Sequence, residues 1–162
     1  MTVTQEATST EPQTISPTVT TTLVRGTATQ VSVSAGKHAF TIDEPAGLGG
    51  TDLGANPVEH LLAALGSCQV ITYQVWAEKL GVRLDAVDIS LIGELDLRGF
   101  FGLDDQVRPG FGSIELEVQL TGPEPTDRYD ELVRQVDLHC PVLDNLSRPV
   151  PVTTTVVTHP SA

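Results

Sequence analysis

Residues 56–81 read NPVEHLLAALGSCQVITYQVWAEKLG. Asn56 is a good helix N-cap, and Pro57 suits the first helical position, where no backbone N–H is needed. Gly81 offers a stop. Between them a helix can run from Val58 to about Leu80. Its apolar positions (Leu61, Leu62, Leu65, Cys68, Ile71, Val75 and Leu80) recur mainly in steps of three and four, which makes one face strongly apolar. Ala63, Ala64 and Gly66 are small and permit close approach by a neighbour. A helix of roughly 23 residues spans about 34 Å. That is long for so short a chain and implies a central helix buried on several sides.

On its N-terminal side lie three β-branched, alternating runs, TVTTTLVRG, TATQVSVSAG and KHAFTIDEP, separated by glycine and proline. They read as an antiparallel three-stranded meander, with Ala35-Gly36 as the tight turn between the second and third strands. The loop AGLGGTDLGAN, residues 46–56, is glycine-rich but lacks the Lys-Ser/Thr ending of a P-loop and the dinucleotide fingerprint. A connector that shapes a pocket is the favoured reading. Residues 1–17, rich in Thr, Ser, Gln, Glu and Pro, read as a disordered tail, leaving 18–162 as a single domain.

On the C-terminal side, strands are expected at about Val87 to Leu97 and Ser113 to Leu120. The linker between them carries Phe100, Phe101 and Phe111, either as an apolar lip over a pocket or as filler for an aromatic-poor core. A second helix is expected from Thr126, its cap, to about His139. Cys140-Pro141 breaks it, a helical turn covers Pro141 to Leu146, and a last strand runs from about Val150 to Val157. The order β-β-β-α-β-β-α-β is an α+β arrangement of antiparallel strands and one dominant helix.

Composition sets limits. Nine Lys and Arg face 21 Asp and Glu, a formal net charge of -12. Such a chain repels phosphate backbones and anionic head groups, so neither nucleic acid nor membrane is an expected partner. No apolar run is long enough to span a bilayer, and the N-terminus lacks a secretory pattern. A cytoplasmic location is the default.

Two cysteines far apart in the sequence of a cytosolic protein are more often reactive or simply buried than a structural staple. Cys68, deep in the long helix, gains little from the helix dipole and needs a nearby cation to ionise. The helix itself supplies only Lys79, three turns away. Cys140 is expected at the N-cap of a short helix, where free N–H groups favour a thiolate, as in a resolving thiol or leaving group. The alternative for each is an inert residue. His60, Cys68, His139 and Cys140 lack metal-ligand spacing, so no metal is expected, and no GxSxG elbow is present.

The stretch GGTDLGANPVEHLLAALGSC (49–68), followed some seventy residues later by HCPVLDNL (139–146), resembles the OsmC/Ohr family over roughly residues 20–158. That resemblance implies an intertwined homodimer with long central helices between sheets and active sites at the subunit interface. It implies reduction of organic hydroperoxides by cysteine, without metal, flavin or other cofactor, and an external dithiol as reductant. By position Cys68 matches the peroxidatic cysteine and Cys140 the resolving one. The family's glutamate directly after Asn-Pro, which holds an arginine beside the thiol, is replaced by Val58, with Glu59 one residue later. Arg25 is the matching arginine in the first hairpin, and Arg98 and Arg108 are alternatives. These departures place the chain in a divergent branch. They also motivate a second reading, a non-catalytic protein that binds or senses a small apolar ligand in the interface pocket.

Overall fold

The computed structural model describes residues 11–160. Of the expected N-terminal tail, residues 1–10 lie outside the described part, and residues 12–18 carry no regular secondary structure. The chain forms two compact units, Met1–Pro57 and Val58–Ala162.

Alternating β-branched residues build the sheet of the first unit. Strands β1 (Val19–Leu23), β2 (Val31–Ala35) and β3 (His38–Ile42) pair antiparallel in that order. Ala35 pairs with His38, so the two-residue loop is Gly36-Lys37, one position later than the sequence suggested. Gly36 takes φ 59°, the conformation that a II′ turn demands of its first central residue. The β1–β2 connection holds the exposed Arg25 and is closed by Val24 N–H donating to Gln30 O at 2.8 Å.

The glycine-rich loop is organised around one carboxylate. Asp43 is 1% exposed and accepts from the Thr29 hydroxyl at 2.6 Å, the Thr51 hydroxyl at 2.7 Å and N–H at 3.0 Å, the Glu44 N–H at 2.9 Å and the Leu53 N–H at 3.3 Å. A side chain at Gly50 would run into the Glu44 carbonyl, which is why the loop can fold back so tightly. The loop donors at Thr51 and Leu53 are spent on Asp43, in keeping with a connector.

In the second unit, α1 (Pro57–Leu80) begins at the proline and ends before Gly81. It buries Leu65, Gly66, Gln69, Thr72, Tyr73 and Ala77. The expectation of burial on several sides needs correction, because Leu61, Ile71 and Val75 are exposed. Apolar side chains occur around much of the helix, and this chain covers only part of its circumference.

Strands β4 (Ala86–Glu94) and β5 (Ser113–Thr121) form an antiparallel pair. Val87, Ile89 and Leu91 sit opposite Leu120, Val118 and Leu116, giving one apolar face. The linker contains an unforeseen short helix, α2 (Leu97–Phe100), whose N-cap Asp96 accepts from Arg98 N–H at 3.0 Å. Phe100 and Phe101 are exposed and pack edge to face, whereas Phe111 covers Gly93.

Helix α3 (Thr126–His139) has the expected bounds, but Pro125 is its N-cap and Thr126 makes no cap. Leu132 and Val136 are fully buried against Tyr73, Ala77 and Val82. The Arg128 guanidinium donates to Leu80 O at 2.8 Å, capping the C-terminus of α1 from α3. Helix α4 (Pro141–Ser147) follows directly. The last expected strand does not form. Residues 149–160 carry no regular structure, and Val150, Val152, Val156 and Val157 are exposed. Their β-branched pattern is that of a strand, but no neighbouring strand among the described residues supplies the ladder.

Burying Asp43 among five donors holds its carboxyl well below the usual carboxylate range, the Thr29 hydroxyl contributing most and burial opposing. A depressed value means stabilisation that is present above the unfolded value and lost as pH falls below it. Asp43→Asn should therefore melt lower than the wild type at pH 7, and the gap should close as pH drops below about 4. Thermal melts from pH 7 to 3 test this; a gap that stays constant would contradict it.

Candidate functional site

Local sequence places the two sulfurs. Cys68 lies in the middle of α1, one turn after Ala64, and is partly exposed. Cys140 is the last residue before α4, where Pro141 occupies the first helical position and forces the chain to turn. Its N–H still donates to Val136 O at 2.9 Å, so the buried end of α3 fixes its position. Both thiols are free, and Cys68 lies close enough to Cys140 to act on its thiol electrostatically.

The charge state of Cys140 differs from the sequence expectation. The N–H groups of Leu143 and Val142 face its sulfur and pull its pKa down, though neither closes a geometric cap. Burial outweighs them: at 1% exposure the thiol is pushed up, and the neighbouring Cys68 pushes the same way. The arrangement thus favours a neutral thiol at Cys140.

The remaining expected site residues are scattered. Glu59 is exposed in the first turn of α1, nine residues before Cys68. On an ideal helix that is about 13 Å along the axis and half a turn around it. Arg25 belongs to the first unit. Arg98 is taken up by Asp96 at 2.6 Å and Asp104 at 3.5 Å. Lys79 lies over the Trp76 ring, 4.5 Å from its centroid, and the His139 ring lies 4.2 Å from the same indole, tilted by 35°. His139 Nδ1 is engaged with Gln135 O at 2.8 Å. No group of three or more His, Cys, Asp or Glu among the described residues is placed to share a metal ion.

Two clefts share Leu116 and Leu143 in their walls, the latter three residues after Cys140. One, about 370 Å³, is walled by Leu61, Leu65, Phe111 and Leu146, and Arg108 reaches its rim. Arg108 has no ion-pair partner among the described residues. The other, about 620 Å³, runs between α1, β5 and α3 and includes Gln69, Tyr73 and Asp137. Sequence reasoning missed Gln69 and Tyr73. The available signal was two polar-tipped residues spaced one turn apart in α1.

A three-stranded meander, a long helix bearing one cysteine, a two-stranded ribbon and a second cysteine at a helix–helix break define an α+β thiol protein. Residues 49–155 match the family model described as OsmC-like protein, and the chain belongs to that family. Among solved structures, an OsmC-like protein from Mycoplasma pneumoniae is similar at 18% identity and TM-score 0.71, covering 83% of this chain and 89% of that one. An organic hydroperoxide resistance protein OsmC from Legionella pneumophila gives 17%, 0.63, 83% and 91%. The organic hydroperoxide resistance protein OhrB of Bacillus subtilis gives 21%, 0.54, 83% and 92%. Comparison with curated proteins gives no match. No helix among the described residues is long and apolar enough to cross a membrane.

Because burial is the main cause of its raised value, Cys140 should alkylate slowly even when alone. In Cys68→Ser, its iodoacetamide rate should still be climbing above pH 8.5, the ordinary thiol value. A rate that plateaus by pH 7 would contradict this assignment.

Proposed function

We propose that the chain is a thiol-dependent peroxidase that reduces organic hydroperoxides through Cys68 and Cys140. The observation that carries this reading is the proximity of two free cysteines 72 positions apart in sequence, one partly exposed and one buried. Membership of a family whose structural relatives include organic hydroperoxide resistance proteins supports it.

The chemistry uses two thiols and no further group. The Cys68 thiolate attacks the outer peroxide oxygen. The O–O bond breaks, the alkoxide leaves and takes a proton to become the alcohol, and Cys68 becomes a sulfenic acid. Cys140 then attacks that sulfur. An S–S bond forms and the sulfenic hydroxyl leaves with the Cys140 proton as water. An external dithiol returns both thiols by exchange. The environment of Cys140 suits this order. While Cys68 is charged, Cys140 stays protonated and leaves the peroxide to its partner. Oxidation of Cys68 removes the neighbouring charge, and the N–H groups of Leu143 and Val142 remain to favour the Cys140 thiolate at the step that needs it.

The activating cation is proposed to be an arginine. Arg25 is the candidate from the family pattern, with Glu59 as its holder, and Arg108 is the candidate from the structure, since it lines a cleft with Leu143, whose N–H faces Cys140. A homodimer completes the proposal. The exposed Leu61, Ile71 and Val75 of α1 and the unpaired valines after Arg148 would find cover in a second copy. A cytoplasmic location fits the reducing partner.

One equivalent of cumene hydroperoxide added to reduced protein should remove two hydrogens by intact mass and protect both thiols from alkylation. Cys68→Ser should consume no peroxide, and Cys140→Ser should stop at a dimedone-reactive sulfenic acid. Peroxide reduction by Cys68→Ser at the wild-type rate would end the proposal. Loss of the activating arginine should slow Cys68 oxidation about 100-fold, so comparing Arg25→Ala with Arg108→Ala identifies it.

A further inference from the structure

The larger cleft contains polar groups that the thiol chemistry does not use. Gln69 is 2% exposed and Tyr73 1% exposed, and they stand one turn apart on the same side of α1. Neither side chain has a hydrogen-bond partner among the described residues. No fully enclosed side-chain nitrogen or oxygen there is left unsatisfied, so the amide and the phenol open onto the cleft. Unpartnered amides and hydroxyls this deep are costly unless something fills the space beside them.

The rest of the wall decides what that is. Leu116, Val118, Leu120 and Val133 make it apolar, and at about 620 Å³ it has the size of a small-molecule site. No Lys or Arg lines it, whereas Asp137 does. A carboxylate entering here would meet a like charge and no cation. Arg108, the free cation, serves the other cleft. Burial and the Asp137 charge push the Tyr73 phenol up to about 12, which keeps it a proton donor at neutral pH.

We propose that the cleft between α1, β5 and α3 binds an elongated apolar molecule bearing one neutral oxygen function, an alcohol or a carbonyl, held by the Gln69 amide and the Tyr73 hydroxyl. Tyr73 donates to the ligand oxygen, and Gln69 donates to it or accepts from an alcohol. The site uses neither sulfur, and so stands apart from the redox reading.

Titration calorimetry of the reduced protein at pH 7 with 1-octanol, 2-octanone and sodium octanoate tests this. The two neutral probes should bind saturably and octanoate at least about tenfold more weakly. Tyr73→Phe and Gln69→Leu should each weaken the neutral probes about fivefold, the worth of one neutral hydrogen bond. Tyr73→Phe keeps the ring and fills the same space, so it decides the matter even where Gln69→Leu folds poorly. Octanoate binding as tightly as octanol would overturn the proposal. So would neutral-probe affinities equal to wild type in the folded variants, or no saturable binding, as expected of a cleft filled by a second copy.

Discussion

The seat of α3 is the constraint on which the site depends. Leu132 and Val136 have no exposed surface, and they lock the helix against Tyr73, Ala77 and Val82. Arg128 adds a hydrogen bond to the last turn of α1. Cys140 hangs from the end of this rigid piece by its N–H bond to Val136 O. Its distance from Cys68 is therefore set by core packing. Few flexible torsions separate each sulfur from a buried backbone, so the encounter of the two thiols costs little additional ordering.

The same packing gives the two cysteines unequal surroundings. One thiol at the open side of a long helix and one sealed at a helix junction differ in exposure before any chemistry starts. Here desolvation opposes the partial charges of a helix N-terminus, and desolvation prevails because the sulfur has almost no contact with solvent. The sequence position of Cys140 before a proline identified the dipole contribution correctly. It could not reveal the burial, which depends on how α3 lies on α1 and β5.

That contrast describes legibility more widely. Elements written in local chemistry were readable: the Pro57 start and Gly81 stop of α1, the alternating strands, and the bounds of α3. The short α2 was not, because its four residues are held by an Asp96 cap and an Arg98 ion pair rather than by periodicity. The Val150–Val157 run shows the opposite failure. Its pattern is that of a strand, yet a strand is a property of two segments, and no second segment pairs with it among the described residues. In the site, Cys68 and Cys140 were identifiable by motif. Gln69 and Tyr73 were not, since only the fold shows that their polar tips lack partners. The loop at 46–56 was read as a connector, and the anchor that shapes it, Asp43, carries no motif at all.

Trp76 is the sole tryptophan, in contact with Lys79 and with a histidine that immediately precedes Cys140 in the chain. An imidazole ring 4.2 Å from an indole and tilted by 35° is placed to quench its fluorescence. The indole therefore responds to the position of the junction between α3 and α4. The molecule carries its own optical reporter there, and its emission can follow a change at that junction without any dye or substituted residue.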